Sequence, residues 1–143
     1  TAIHDGHELR PEVAAAMKLA EPDRLREEDP FGGQAIGGVP THVIVHRSRF
    51  EFDLNRGADG AIYRTPKQSW GLEVWDGECD DGLAARSLEI HAAYYRMLAA
   101  MLDAVADRHE RFVLLDVHSH NHRRDGPGGA PTHQAKAPDI NIG

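Results

Sequence analysis

The sequence predicts an α/β protein, because short apolar runs alternate along the chain with a long stretch of helical periodicity. Val43-Ile44-Val45 and Phe112-Val113-Leu114-Leu115 are continuous apolar runs, which are typical of buried strands. Between them, Gly82 to His109 carries apolar residues at three- and four-residue steps, which predicts one amphipathic helix packed on a core. Strand, helix and strand in this order indicate the α/β class.

The first 40 residues predict a strand end, a helix and a loop. Residues 1–3 are interpreted as the end of a strand. Pro11 suits the first position of a helix, which good helix formers continue from Val13 to Ala20. Asp23 to Glu28 is interpreted as a short acidic turn, and the glycine-rich Phe31 to Pro40 as a loop.

The remaining elements are predicted from alternation and composition. Phe50, Phe52 and Leu54 alternate with two acidic residues over positions 50–54, which predicts a strand with one polar face. Arg56 to Asp81 has no clear period, and Asp81 is a candidate N-cap for the long helix. Ser119 to Pro138 is predicted to be a surface loop, and Ile140 to Ile142 begins another strand.

Composition limits the function classes. The 143 residues argue for one domain. A formal charge of -7 leaves no basic face for nucleic acid or an anionic membrane, so we expect neither partner. The single Cys79 excludes a disulfide framework and fits a reducing compartment. With no apolar run long enough to span a bilayer, we expect a cytoplasmic protein.

Polar clusters directly follow three of the predicted strands. Residues 4–8 follow Ile3, residues 53–56 close the alternating strand, and Asp116 to His118 follow the second apolar run. In open α/β sheets the ligand crevice lies beyond the carboxyl ends of the strands. We therefore expect the clusters to converge there.

The clusters contain the residue types of an open zinc site. Two imidazoles and one carboxylate, as in His4, His118 and Glu8, form such a site in hydrolases. A metal-bound imidazole usually donates its other N–H to a carboxylate, and Asp53 or Asp116 could accept it. Arg56 offers a planar fork that matches a substrate carboxylate.

Simpler interpretations stay open for the same residues. His7 is close enough in sequence to replace His4 or Glu8 as a ligand. Asp53 and Arg56 could form an ordinary salt bridge. The further histidines and arginines of the C-terminal loop are interpreted as solvated residues: His120, His122, Arg123, Arg124 and His133.

At these residues the sequence resembles the N-formylglutamate amidohydrolases, relatives of the zinc carboxypeptidases. The motifs that carry the resemblance follow the family's order and span nearly the whole chain. They are Ile3-His4-Asp5-Gly6-His7-Glu8 with Pro11, Arg49-Phe50-Glu51-Phe52-Asp53-Leu54-Asn55-Arg56, Leu115-Asp116-Val117-His118-Ser119 and Asp139-Ile140-Asn141-Ile142-Gly143.

The resemblance implies a fold. This is the zinc carboxypeptidase-like (phosphorylase/hydrolase-like) architecture, a three-layer αβα arrangement around a mixed, mostly parallel sheet. Residues 1–143 would form a single hydrolase-like domain. Because the chain lacks an initial Met and stops at the start of a strand pattern, we expect this domain to be incomplete at both ends.

The resemblance also implies a zinc-dependent reaction: hydrolysis of a small, carboxylate-bearing N-acyl amino acid, with N-formylglutamate giving formate and glutamate. The implied roles are zinc ligands for His4, Glu8 and His118, a supporting carboxylate for Asp53, substrate-carboxylate binding for Asn55 and Arg56, and oxyanion stabilisation for Arg49. Carboxypeptidases place the Glu ligand three residues after the His, whereas here it comes four residues after.

The family's general base is a Glu that follows the third ligand. Here no Glu follows Glu110, so we expect the base to lie outside this chain. Two alternatives stay open. One is a carboxypeptidase-like peptidase or another N-deacylase, and the other is a non-catalytic domain that binds zinc and a carboxylate.

Overall fold

Helices make up most of the regular structure in a computed structural model that describes residues 1–123, 128–137 and 140–141. In these residues α1 spans Pro11–Ala16, α2 Glu21–Glu27, α3 Gly32–Ile36 and α4 Asp81–Ala106, and a 3-10 helix spans Pro66–Ser69. Of the strand predicted at Ile140 to Ile142, residues 140–141 are described and form no strand, and Ile142 lies outside the described residues, as do Asp139 and Gly143 of the same motif.

The predicted three-layer αβα fold with its mixed sheet is wrong. Within the described ranges the backbone forms isolated bridges in place of strands: Ala2 with Ile44 and Glu8 with Arg47 in parallel, and Met17 with Trp75 in antiparallel. Between the first two bridges, the chain turns at residues 3–4, so the pairing does not propagate into a ladder.

The alternating segment 50–54 turns and does not extend, although its sequence has strand periodicity. All five residues are buried, the acidic Glu51 and Asp53 as completely as the apolar ones. Alternation predicts a half-exposed strand only where the polar residues meet water. Here the two carboxylates are drawn inward because Arg10 binds Glu51 and His4 binds Asp53.

The run from Phe112 to Leu115 is not a buried strand either. Val113 is 81% exposed and Leu115 67% exposed. An apolar strand is covered on both faces when helices pack over a sheet. In the described structure α4 buries residues only in its N-terminal half, the last of them His91.

The helix predictions fare better. The long helix is confirmed as α4. Its N-cap is Asp80 and not the predicted Asp81, because the Asp80 carboxylate accepts a hydrogen bond of 2.8 Å from the Leu83 N–H. Helix α1 begins at the predicted Pro11 and ends before the predicted limit, where Met17 pairs with Trp75.

Two further helices were not predicted. Helix α2 occupies the predicted acidic turn, because Pro22 lies in its first turn, where a proline is tolerated. Helix α3 lies inside the predicted glycine-rich loop.

The core is built largely by the chain between α3 and α4. Val13 of α1 and Leu83 and Ala84 of α4 also belong to the core. Its members from the segment between α3 and α4 include Phe50, Phe52, Leu54, Ile62, Tyr63, Val74 and Trp75. Asp53 belongs to the same segment and is 0% exposed. The segment that carries Asp53 is therefore part of the hydrophobic core.

None of the helices in the described ranges is long and apolar enough to cross a membrane.

The ion pair of Arg10 and Glu51 predicts a stability effect. Glu51 is 0% exposed and accepts hydrogen bonds from Arg10 Nε at 2.5 Å and from the Arg10 N–H at 3.0 Å. Replacing Glu51 by Ala removes the buried carboxylate and leaves the half-buried Arg10 paired only with the exposed Glu12, so we expect the free energy of unfolding to fall by about 3 kcal/mol, the low end for a broken buried ion pair, in urea denaturation.

The matched control is the exposed pair of Lys18 and Glu73. Glu73→Ala should change the free energy of unfolding by less than about 1 kcal/mol. Similar losses in Glu51→Ala and Glu73→Ala would contradict the assigned importance of the buried pair.

Candidate functional site

His4, Asp29 and His118 form a cluster whose nitrogen and oxygen atoms could hold a metal ion. One candidate ligand atom from each residue lies within 4.8 Å of the other two. His4 and Asp29 are buried, whereas His118 is exposed. The cluster thus consists of two buried residues and one histidine at the surface.

Backbone pairing brings the two histidines together. Residues 1–2 form hydrogen bonds with residues 43–45 on one side and with residues 115–117 on the other. His4 and His118 follow these paired segments, and their ring centroids are 5.0 Å apart. The sequence-predicted convergence of the first and last polar clusters therefore has a structural basis in these hydrogen bonds.

Asp29 reaches the cluster from the end of α2. Its backbone N–H donates to the His4 carbonyl at 3.1 Å. The buried Arg24 of α2 donates from Nη1 to the His7 carbonyl and to Glu28 Oε1, each at 2.7 Å. These bonds attach the end of α2 to the turn that carries His4.

A close approach at Gly6 shapes that turn. A Cβ atom on Gly6 would lie 1.9 Å from the carbonyl carbon of His46. No side chain fits there, so a glycine is required for the turn to lie against residues 46–48.

Asp53 fixes the ring of His4. Its Oδ1 accepts a hydrogen bond from His4 Nε2–H at 2.7 Å and another from the Asn55 N–H at 2.8 Å. Its Oδ2 accepts from Arg49 Nη2 at 3.1 Å and from the Tyr63 hydroxyl. Both oxygens of this buried carboxylate are thus satisfied by hydrogen bonds.

These contacts keep Asp53 ionised. Burial by itself raises the pKa of the carboxyl group, but the hydrogen bond from His4 and the charge of Arg49 outweigh burial and hold the pKa well below its usual range. In return, the neighbouring negative charges raise the pKa of Arg49 against the effect of burial.

Asp116 holds the second histidine in the same way. Its Oδ2 accepts a hydrogen bond from His118 Nε2–H at 2.9 Å, and its Oδ1 accepts from the Thr1 hydroxyl at 2.5 Å. His118 Nδ1–H donates to Asp29 Oδ2 at 2.9 Å. With carboxylates on both ring nitrogens, the pKa of His118 is raised to about 9, chiefly by the bonds to Asp116 and Asp29.

Asp29 carries the complementary shift. Burial raises its pKa, but the hydrogen bond from His118 and the proximity of His4 and Arg49 lower the pKa to about 2. The cluster therefore contains a carboxylate that stays charged at neutral pH.

A cation fits the centre of this cluster. His4 Nδ1 is buried, makes no hydrogen bond and lies 3.4 Å from Asp29 Oδ2. Because Nε2–H is engaged with Asp53, Nδ1 presents a lone pair to the carboxylate when the ring carries one proton. Two electron-rich atoms at this distance are stabilised by a positive charge between them, which a metal ion would supply.

Glu8, the sequence-predicted second ligand, lies outside the cluster. Its side chain is exposed, and its backbone pairs with residues 46–48: its N–H donates to the His46 carbonyl, and its carbonyl accepts from the Ser48 N–H, each at 2.9 Å. The carboxylate beside the two histidines is that of Asp29, which the sequence reasoning did not single out. The only local signal was the acidic run Glu27-Glu28-Asp29, and nothing in it distinguishes one carboxylate from another.

Arg56 and Asn55 both contact Asp53, Arg56 through its side chain and Asn55 through its backbone N–H. Arg56 Nε is 3.3 Å from Asp53 Oδ2, its Nη2 donates to the Gln68 carbonyl at 2.8 Å, and its guanidinium stacks on Tyr63 at 4.6 Å. The side chain of Asn55 is exposed.

Helix α4 fixes the turn that carries these residues. His91 Nε2–H donates to the Arg56 carbonyl at 2.9 Å. The Tyr95 hydroxyl, one helical turn later, donates to the Leu54 carbonyl. These two bonds hold the carbonyls on either side of Asn55.

A cleft of about 610 Å³ opens beside the cluster, with Asp29 and Arg49 in its lining. Arg49 also stacks on Trp70, with 4.8 Å between the guanidinium carbon and the ring centroid. A second cleft of about 530 Å³ is lined by His118, and both clefts share Ser119 and His120. A small molecule in either cleft would thus lie next to a residue of the cluster.

Comparison with known proteins identifies one family. The model of the N-formylglutamate amidohydrolase family matches residues 1–143. The comparisons with curated proteins and with solved structures found no match.

The raised pKa of His118 predicts a pH dependence for the metal-free protein. The folded-state pKa of about 9 exceeds the ordinary value of 6.5. The stabilisation by His118 is therefore fully present below about pH 6.5 and is lost as the pH rises through about 9. Urea unfolding in the presence of a chelator should show this loss, and His118→Gln should lack it. Parallel stability curves for the two proteins between pH 6 and 9.5 would refute the assignment.

Proposed function

Because the chain belongs to the N-formylglutamate amidohydrolase family, we propose that it is a zinc-dependent hydrolase that cleaves the amide bond of an N-acyl amino acid. In this reaction, water adds across the amide: the C–N bond breaks, the hydroxyl goes to the acyl carbon and the proton to the nitrogen. N-formylglutamate, which would give formate and glutamate, is the natural first substrate to assay.

One observation carries the zinc proposal: each histidine of the cluster donates its Nε2–H to a carboxylate, while its Nδ1 faces Asp29. The pairs are His4 with Asp53 at 2.7 Å and His118 with Asp116 at 2.9 Å. Metal-binding histidines are held in this way, because the outer carboxylate sets the ring orientation and increases the basicity of the free nitrogen.

The zinc ligands in this proposal are His4 Nδ1, His118 Nδ1 and the Asp29 carboxylate. Two imidazoles and one carboxylate leave a position open for water or substrate, as in catalytic zinc sites. Zinc, when bound, supplies a Lewis acid that polarises the substrate carbonyl and lowers the pKa of a coordinated water. Because His118 Nδ1 carries a proton in the metal-free protein, that proton must leave before the nitrogen can coordinate.

Arg49 is the chain's own source of positive charge at this site. It lines the cleft, and its Nη1 lies 4.0 Å from Asp29 Oδ1. Asp53, Tyr63 and Trp70 fix the guanidinium, so it needs little reorganisation when a negatively charged oxygen forms nearby. We assign it to stabilising the oxyanion, and Arg56 with Asn55 to the substrate carboxylate.

Zinc binding tests the ligand set. Asp29→Asn should weaken zinc binding by more than about 100-fold, since even changes in residues behind the ligands cost about 10–100-fold. Glu8→Gln is the matched control, because its exposed side chain lies outside the cluster, and its zinc affinity should equal that of the parent. The measurement is zinc content after dialysis, together with competition against a chelator of known affinity.

Loss of zinc in Glu8→Gln with retention in Asp29→Asn would reverse the assignment of the second ligand. Less than about half an equivalent of zinc in the parent protein after gentle purification would count against the whole proposal, because such sites bind tightly.

Kinetics separate the roles of the two arginines. Arg49→Lys should lower kcat about 100-fold, the usual effect of losing one oxyanion donor, with a smaller change in KM. Arg56→Lys loses the planar fork and should raise KM about 10-fold with kcat nearly unchanged. Steady-state assays on the zinc-loaded protein measure both. A KM effect in Arg49→Lys and a kcat effect in Arg56→Lys would exchange the two roles.

A further inference from the structure

Two exposed aromatic side chains form walls of the cleft beside the cluster. Phe31 is 69% exposed and Trp70 is 56% exposed, and both line the cleft that contains Asp29 and Arg49. Leu25, Pro30 and Leu72 extend the apolar lining around them. Large apolar side chains left exposed beside a polar site are typical of a surface that a ligand covers.

The backbone at both positions is in the left-handed region. Phe31 has φ 73° and Trp70 has φ 54°, and among the described residues they are the two non-glycine positions with positive φ. A side chain with a Cβ is strained in this conformation, and glycine would adopt it freely. Trp70 is the C-cap of the 3-10 helix, where a left-handed residue is a common helix ending. Phe31 has no such role, because it holds this conformation at the N-terminus of α3, and residues strained in this way cluster at ligand-binding positions.

The charged residues that line this cleft disfavour the side-chain carboxylate of N-formylglutamate, which is the second carboxylate of that substrate. Arg26 and Arg49 face the acidic Glu27, Glu28 and Asp29, so acidic groups outnumber basic ones. Both arginines are already paired within the chain: Arg26 Nη1 donates to Glu27 Oε1 at 2.7 Å, and Arg49 Nη2 donates to Asp53 Oδ2 at 3.1 Å. An apolar group gains contact with the two rings, whereas a carboxylate would have to compete with these partners for the two arginines.

We propose that Phe31 and Trp70 determine substrate specificity by enclosing an aromatic or large apolar group of the N-acyl amino acid, so that such substrates are preferred to N-formylglutamate. The inference rests on the proposed amidohydrolase function and deepens it. The apolar group can belong to the amino acid side chain or to the acyl group, and both sources present the same chemistry to the two rings. An aromatic group between two aromatic walls buries apolar area and gains ring contacts.

Three substrates test the preference on the zinc-loaded protein. N-formylphenylalanine carries the aromatic group on its side chain, N-phenylacetylglutamate carries it on the acyl group, and N-formylglutamate carries none. At least one aromatic substrate should exceed N-formylglutamate about 10-fold or more in kcat/KM. The better of the two identifies which part of the substrate the cleft encloses.

Variants assign the preference to the two residues. Phe31→Ala should lower kcat/KM for the preferred aromatic substrate about 10-fold and leave N-formylglutamate within about 2-fold. Trp70→Leu also removes the ring that packs on Arg49, so it should lower kcat/KM for all three substrates, and most for the preferred aromatic one. Trp70→Phe keeps an aromatic face and should retain most of the preference. Phe112→Ala is the matched control, because Phe112 is 45% exposed and lines neither cleft described above.

Phe31→Gly separates a binding role from a structural one. Glycine removes the strain at φ 73°, so the Tm should equal or exceed that of the parent while the aromatic preference is lost. If Phe31 were retained for stability alone, this variant would have a lower Tm and an unchanged substrate preference.

Binding to the metal-free protein gives a readout that does not depend on turnover. Trp70 is the exposed one of the two tryptophans, since Trp75 is 6% exposed. N-formylphenylalanine or N-phenylacetylglutamate should protect tryptophan fluorescence from acrylamide quenching at concentrations where N-formylglutamate does not. Phe31→Ala should weaken this protection.

The outcomes distinguish the two proposals. Hydrolysis of N-formylglutamate in clear preference to both aromatic substrates, with no selective effect of the variants, overturns the specificity proposal and leaves the amidohydrolase function standing. Hydrolysis of none of the three substrates by the full-length protein overturns the proposed function. Protection of Trp70 by the aromatic ligands would in that case still support the aromatic cleft as a binding site.

Discussion

The buried carboxylate of Asp53 is the group on which the candidate site depends. At 0% exposure its charge is tolerated because hydrogen bonds and cations surround both oxygens. The contact with His4 sets the rotation of one candidate ligand, and the contact with Arg49 fixes the cleft's cation. Asp53 thus sets the positions of both His4 and Arg49, and a displacement of its side chain would move both residues. Tyr95 and His91 of α4 hold the following turn from behind.

The same burial explains why the strand prediction at positions 50–54 was wrong. Period-2 alternation identifies a strand by assuming that charged residues avoid the interior. Glu51 and Asp53 enter it because Arg10 and His4, distant in sequence, donate hydrogen bonds to them. Local periodicity contains no information on such partners. The helix prediction for α4 was confirmed because helical periodicity is a local property of the sequence, although the N-cap is Asp80 and not the predicted Asp81.

The same distinction between local and tertiary information separates the site residues that the sequence could predict from the one that it could not. His4, His118, Asp53 and Asp116 belong to short motifs, so the sequence could single them out, and the structure places each histidine against one of the two carboxylates. Asp29 could not be distinguished in this way, because its place depends on where α2 ends and on the backbone bond from Asp29 to the His4 carbonyl. Such a contact is a product of tertiary packing.

Phe31 and Trp70 differ from the cluster of His4, Asp29 and His118 in both polarity and exposure. The cluster's charges are paired and largely buried, which favours one rigid arrangement. Both aromatic rings are exposed, and the left-handed backbone of Phe31 has no helix-ending role that would explain it, whereas Trp70 caps the 3-10 helix. Trp70 connects the two regions, because its ring packs on Arg49. Among the described residues Phe31 makes no contact of this kind, so the wall that it forms could vary without disturbing the Asp53 network, whereas a change at Trp70 would reach Arg49. Membership of the N-formylglutamate amidohydrolase family therefore indicates which bond is cleaved, and it says less about which substrate group lies between Phe31 and Trp70.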